Sequence, residues 1–284
     1  MRTINYTIPS EFDNQKVLHY LRSVGLSCSL IRSLKTVPNG IMLNGEHTRT
    51  VDIVRTGDIL TINIPNDKNE IEPTEIALNI IYEDNDILII NKPAGIAMHP
   101  THNHQGDTLA NAVAYYHQKQ DKNHTFRSIG RLDKSTSGLV LIALNPLAAA
   151  SLNGKVEKTY YALVGGFLEG NGTIDRPIYR PYPNKTLRAV GETGEHAVTH
   201  WQALKTDGKR TLVRVNLETG RTHQIRVHFA SLNMSLVGDD MYASADNSVS
   251  RAALHCGEMS FIHPITKKAM HFSVALPEDM QKIL

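Results

Sequence analysis

The stretch SIGRLDKSTSGLVLIALN, residues 128–145, joins a charged polar turn to an apolar run. GLVLIAL is apolar at every position after its glycine. That is the pattern of a strand buried on both faces, not of one alternating between core and solvent. Just before it, Asp133 lies between Arg131 and Lys134 and is followed by Ser135, Thr136, Ser137 and Gly138. Asp and Ser favour turns because their side chains bond nearby backbone N–H groups, and Gly138 relieves the backbone. A surface turn therefore explains the spacing. So does a catalytic carboxylate held beside two cations at the edge of a core strand, and only the rest of the chain separates the two.

The chain has 284 residues, enough for one large domain or two smaller ones with a real core. No apolar run approaches the ~18 residues needed to cross a bilayer. The N-terminus, MRTINYTIPSEFDN, lacks the layout of a signal peptide, so a cytoplasmic location is expected. Cys28 and Cys256 leave a disulfide open, but they suggest neither a secreted scaffold nor a thiolate metal site. The net charge of +2 hides an asymmetry: residues 66–86 carry seven acids against Lys68, a local −6, so the remainder sums to +8. Within 205–228, six cations face two acids, a concentration compatible with a polyanionic partner or with a solvated face.

Before the acidic stretch, residues 13–64 read as a compact unit. QKVLHYLRSVG places Val17, Leu18, Leu21 and Val24 at helical spacing, with Gly25 to end the helix. Ser27 caps a second helix that buries Leu30, Ile31 and Leu34. IMLNGEHT then enters an Asn-Gly turn, and VRTGDILTINI supplies a closing strand. Arg22, Arg32 and Lys35 fall on the polar sides. Two short helices followed by small strands resemble the alpha-L RNA-binding fold, which would make those three cations RNA contacts. We therefore expect an alpha-L RNA-binding domain at 1–65, a linker at 66–75 containing Pro73, and a larger domain at 76–284.

The larger domain is rich in short strands. IIYEDNDILIINKP reads as a hairpin turning at Asp84–Asp86. Helices over DTLANAVAYYHQ and NPLAAASLNG interrupt the strands without regular alternation. The expected class is thus α+β, with a mixed, mainly antiparallel sheet. In THQIRVHFASLN, Thr222 is expected to cap a helix that buries Ile225, Phe229 and Leu232 and ends at Asn233.

GRLDKSTSGL (130–139) resembles the catalytic motif of pseudouridine synthases, and TGRTHQIRVH (219–228) resembles a second hallmark of their RluA-type branch. NKPAGIAMHP (91–100), the Lys-x-Tyr at 158–160, LVGDDMY (236–242) and RAALHCGEMSFIHP (251–264) also match, in the expected order. The resemblance covers roughly 80–280, and several ordered motifs over that length are highly specific. One departure stands out: the branch usually has a histidine before Arg-Leu-Asp, where this chain has Gly130. Asp133 itself is intact, so the departure bears on RNA contact and substrate choice.

The resemblance implies an isomerase that turns uridine into pseudouridine in structured RNA, with large-subunit ribosomal RNA as the expected substrate and transfer RNA as the alternative. It implies a monomer that needs no cofactor, since no redox step occurs. Cleaving the glycosidic bond builds positive character at the anomeric carbon, which a carboxylate can stabilise or capture. That role falls to Asp133, as nucleophile or as base, with Arg221 as its ion-pair partner. Tyr160 matches the active-site tyrosine, stacking on the base and taking part in the final deprotonation. Tyr161, one residue on, should face the other side of its strand. Leu254 matches an apolar residue of the uracil pocket, and Arg131 fits insertion where the base has left its stack. Two rival readings remain: metal catalysis through His99, His102, His104 and Asp107, although these fall on a proline-containing loop, and a non-catalytic RNA-binding protein.

Overall fold

A computed structural model describes residues 1–65, 69–101 and 104–283, leaving His102 and linker positions 66–68 outside the described residues. The N-terminal unit begins with β1 (Arg2–Thr7), which precedes α1 (Val17–Ser23) and α2 (Cys28–Leu34). It continues with β2 (Ile41–Leu43), β3 (Glu46–His47) and β4 (Ile59–Ile64). The sheet order is β1-β4-β2-β3. Gly25 ends the first helical segment at φ +96°, and the Ser27 hydroxyl accepts from the Leu30 N–H at 3.2 Å. Asn44 and Gly45 both have positive φ, as a tight β2–β3 hairpin requires.

The expected two helices and hairpin are therefore present, but β1 was not anticipated. RTINYT buries only Ile4, so its place comes from pairing with β4, more than fifty residues away, and not from its own pattern. Nor does the unit hang freely on its linker. Leu147 from the larger domain belongs to its hydrophobic cluster, with Ile265 packed against it. The Arg2 guanidinium donates twice to the Asp86 carboxylate, at 2.9 and 2.7 Å.

The larger domain opens with the hairpin of β5 (Ile80–Glu83) and β6 (Ile87–Lys92). The Asp84 carboxylate accepts the N–H groups of Asp86 and Ile87, which makes the turn. Next come α3 (Leu109–Gln118), β7 (Ser137–Ala143), α4 (Pro146–Leu152) and β8 (Glu157–Gly165). Then follow β9 (Asn171–Asp175), a small ribbon of β10 (Ile178–Tyr179) and β11 (Ala189–Val190), and the pair β12 (Val198–Thr206) and β13 (Arg210–Leu217). The chain ends with α5 (Gln224–Ala230), β14 (Leu254–Ile262), β15 (Ala269–Ser273) and α6 (Glu278–Gln281).

The main sheet runs β9-β12-β13-β8-β14-β7-β6-β5. Every pair along it is antiparallel except β7 with β14. This is the expected mixed, mainly antiparallel α+β sheet. All seven residues of β7 are buried, which fits its place inside the sheet. At the parallel join a Cβ on Gly138 would lie 2.2 Å from the Cys256 carbonyl oxygen, so only glycine allows β14 this close. Asn145 caps α4 by accepting from the Ala148 N–H, and Pro146 takes the first helical position. Both cysteines are free thiols, which settles the open question of a disulfide. Among the described residues, no helix is long and apolar enough to cross a membrane.

Candidate active site

The sheet brings four separate stretches to one concave pocket of about 80 Å³. The turn before β7 supplies Arg131 and Asp133, β8 supplies Tyr160, and β14 opens with Leu254. The fourth stretch, running from the end of β13 into α5, supplies Arg221, His223 and Arg226. All five residues singled out in the larger domain therefore line the same pocket. Arg22, Arg32 and Lys35 do not line it; they are exposed on the N-terminal helices and just after them.

The Asp133 carboxylate faces Arg226 at 3.6 Å and His223 at 3.9 Å. This corrects the expectation for Arg221. Its Nε donates to the His196 carbonyl at 3.1 Å, and its guanidinium pairs with Glu195. The helix geometry explains the exchange. Thr222 does not cap α5; His223 does, in the left-handed conformation at φ +58° and without a side-chain cap bond. The preceding turn is instead clamped by Gln224, whose side-chain oxygen accepts from the Arg221 N–H while its amide donates to the Val198 carbonyl. Arg221 is thus left outside the helix. Arg226 sits in the first turn, where side chains lean back toward the N-terminus and so toward Asp133.

Arg226 is also the hub of a buried network that the sequence reading missed. Its Nε and Nη2 both donate to Asp239 at 2.7 Å, a two-pronged contact with a carboxylate that is fully buried. Burial works against the guanidinium charge, but the Asp239 carboxylate outweighs it and raises the group above its ordinary value. The guanidinium lies 5.3 Å from the Tyr242 ring centre, and the Tyr242 hydroxyl contacts His223 Nδ1 at 3.1 Å. Burial lowers the His223 pKa despite the pull of Asp133, which favours a neutral ring. The Arg-x-x-x-x-Arg spacing within TGRTHQIRVH was the available signal for Arg226, but it did not tell which arginine turns inward.

Tyr160 is almost wholly buried. Burial, reinforced by Cys256 and Asp133, pushes its phenol well above the ordinary range, so the hydroxyl keeps its proton. Tyr161 does take the other face: its hydroxyl bonds Glu258, and its ring packs in a separate cluster. Arg131 is exposed and makes no hydrogen bond or ion pair with the described residues. Behind the turn, the fully buried Lys92 donates from Nζ to the carbonyls of Pro93 and Ile96 at 2.9 Å and of Lys134 at 3.4 Å. That ties the residue after Asp133 to the end of β6.

The described histidines of the 99–107 loop are engaged separately. His104 contacts Asp107 at 2.6 Å and Lys134 at 3.1 Å, using both ring nitrogens, while His99 contacts Ser128. His102 lies outside the described residues. Asp84, Asp86 and His263 form the one group of potential metal ligands among the described residues, and it is already committed: Asp86 to Arg2 and Asn145, Asp84 to Tyr82 and His263.

The family model for RNA pseudouridylate synthase matches residues 86–231, a span containing Asp133, Tyr160, Arg221 and Arg226. "Uncharacterized RNA pseudouridine synthase YjbO" of Bacillus subtilis is 35% identical over 94% of this chain and 98% of its own length. "Ribosomal large subunit pseudouridine synthase D" of Buchnera aphidicola subsp. Acyrthosiphon pisum is 38% identical over 75% of this chain and 74% of its own. Among solved structures, human RNA pseudouridylate synthase domain containing 1 superposes with a TM-score of 0.58 at 27% identity, covering 72% of this chain and 86% of that one.

Proposed function

Because this chain belongs to the RNA pseudouridylate synthase family, we propose that it isomerises uridines of large-subunit ribosomal RNA, acting as a monomer in the cytoplasm. The observation that carries this reading is the Asp133 carboxylate, set in the pocket against Arg226 with Tyr160 and Leu254 around it. The ribosomal target is supported by the names of several relatives in this size range.

In the reaction the bond from the anomeric carbon to the ring nitrogen breaks and a bond to a ring carbon forms. That carbon loses its proton, and the nitrogen ends with one. Asp133 stabilises or captures the electron-poor anomeric carbon, and Arg226, 3.6 Å away, orients its carboxylate. The uracil lies against Tyr160 and Leu254. A phenol that keeps its proton is a stacking face and a hydrogen-bond donor, not the base that takes the ring-carbon proton. That assignment passes to Asp133, the carboxylate whose charge Tyr160 feels. Arg131, exposed and uncommitted, fills the gap left by the extruded base. The N-terminal unit serves as an alpha-L RNA-binding domain, presenting Arg22, Arg32 and Lys35 to phosphates.

Mapping pseudouridine in total RNA from cells with and without the gene tests the substrate. Sites lost from large-subunit ribosomal RNA are expected; loss confined to transfer RNA would overturn the target while leaving the enzyme class. The purified Asp133→Asn variant should form no pseudouridine yet bind RNA as the parent does, and activity within about tenfold of the parent would remove Asp133 from its role.

A further inference from the structure

Gly130, where related chains are expected to carry histidine, sits directly over the Lys158 ammonium. Its backbone is left-handed, at φ +74°, and a Cβ built on it would lie 3.1 Å from Lys158 Nζ. Among the described residues no other heavy atom beyond its chain neighbours lies within 4 Å of that Cβ. Gly130 is itself exposed, so the ammonium lies beneath a position opened by the missing side chain. Lys158 is two residues before Tyr160 on β8 and pairs with Met259 of β14, with a register shift between Thr159 and Tyr160; its Nζ reaches the Ile129 carbonyl, two residues before the pocket-lining Arg131.

The ammonium is only partly satisfied. Among the described residues its one hydrogen-bond acceptor is the Ile129 carbonyl, at 3.0 Å, and it has no carboxylate partner. Two of its three N–H groups are free to bind something else. Burial lowers the Lys158 pKa, with the Cys256 thiol opposing this weakly, so an anion brought to it would be favoured. The next residue after Gly130 is Arg131, a second cation without a hydrogen-bond or ion-pair partner among the described residues. A half-buried ammonium and an exposed guanidinium beside a side-chain-free position, both without an acidic partner among the described residues, suit the negative charge of a nucleic-acid backbone.

We propose that Lys158, uncovered by Gly130, binds a phosphodiester of the RNA strand beside the uridine that enters the pocket. Gly130 is then a specificity-determining position: it decides whether this strand is gripped by the lysine or by a side chain at 130. The inference rests on the reading of the protein as a pseudouridine synthase, and its test separates the two.

Binding and turnover are measured with large-subunit ribosomal RNA and transfer RNA purified from cells lacking the gene, at several potassium chloride concentrations. Pseudouridine formation by the unaltered protein tests the parent reading; its absence from both RNAs would overturn that reading while the binding data still report on Lys158. For Lys158→Met, the slope of log affinity against log salt should shrink by ~0.7–0.9. KM should rise about ten- to hundredfold, the worth of a charge-assisted hydrogen bond, with kcat nearly unchanged. Lys158→Arg should keep the slope. If Lys158→Met does not fold, Lys158→Gln, which retains a donor to Ile129 without the charge, gives the same readings. Gly130→His should cover the ammonium, so that adding Lys158→Met to it costs little more. An unchanged salt slope, or a loss confined to kcat, would overturn the proposal and make Lys158 a brace for the Ile129 carbonyl. Fully additive effects at 130 and 158 would overturn the role given to Gly130.

Discussion

Replacing Arg226 by Gln should damage the protein in two separable ways. The first is catalytic. At 3.6 Å from Asp133, a guanidinium contributes on the order of 4 kcal/mol to the carboxylate at an effective dielectric constant near ~20. Asp239 shares the same cation, so part of that is already spent, and a fall of ~10²–10³ in saturating turnover is expected. The second is structural. Asp239 is fully buried and would lose its two-pronged partner, and breaking a buried pair on one side typically costs ~3–5 kcal/mol. At about 2–4 °C per kcal/mol for a domain of this size, the melting temperature should drop by ~6–20 °C. Arg226→Gln combined with Asp239→Asn distinguishes the two: the melting temperature should largely recover and the turnover should not. Single-turnover pseudouridine formation and thermal unfolding on the same preparations make the comparison. Turnover of Arg226→Gln within about tenfold of the parent, or full recovery of turnover in the double variant, would refute the assignment of Arg226 to Asp133.

Arg221→Ala loses a pair with an exposed glutamate, so we expect less than ~10-fold loss of saturating turnover, given the small worth of such pairs; a collapse like that of Arg226→Gln would show that Arg221 moves onto Asp133 when RNA binds. Tyr160→Phe keeps the stacking face and should be slowed far less than Tyr160→Ala, and equal rates for both would leave Tyr160 a packing residue. Neutralising Arg22, Arg32 and Lys35 together should reduce the salt slope of RNA binding by up to ~2–3 with little change in kcat, and an unchanged slope would remove the N-terminal unit from RNA capture. His117 is buried with neither ring nitrogen hydrogen-bonded among the described residues, and burial pushes its pKa down to about 4. Its unfolded form takes up a proton near pH ~6.5, so its contribution is whole above that pH and is lost as pH falls toward 4. His117→Leu should flatten the acid-side fall of the urea midpoint, and an identical fall in both proteins would contradict this.

Local chemistry was the legible part of the sequence. The unbroken apolar run of β7, the Ser27 cap and the Asp84 turn each follow from residues within a few positions of one another, and each appears where expected. What escaped was set by distant partners. β1 is a strand because β4 lies beside it, and the seam between the two units depends on Asp86 and Leu147, far from the N-terminus in sequence. The arginine facing Asp133 was misassigned for a related reason. Arg221 and Arg226 differ by five positions, and which one turns inward depends on where α5 begins, which Gln224 fixes by bonding across to Val198. The pocket's membership was readable from motifs, whereas its internal pairing needed the backbone.

The parallel join of Gly138 with Cys256 also governs timing during synthesis. Asp133 leaves the ribosome before the strand that abuts its turn, which brings Leu254 more than a hundred residues later. Asp239, which holds Arg226, is likewise a late arrival. A nascent chain halted before about position 250 would therefore carry the N-terminal helices and Asp133 without the Leu254 wall of the pocket. The pocket around Asp133 closes only once β14 has been made, whereas the surface bearing Arg22, Arg32 and Lys35 is made long before it.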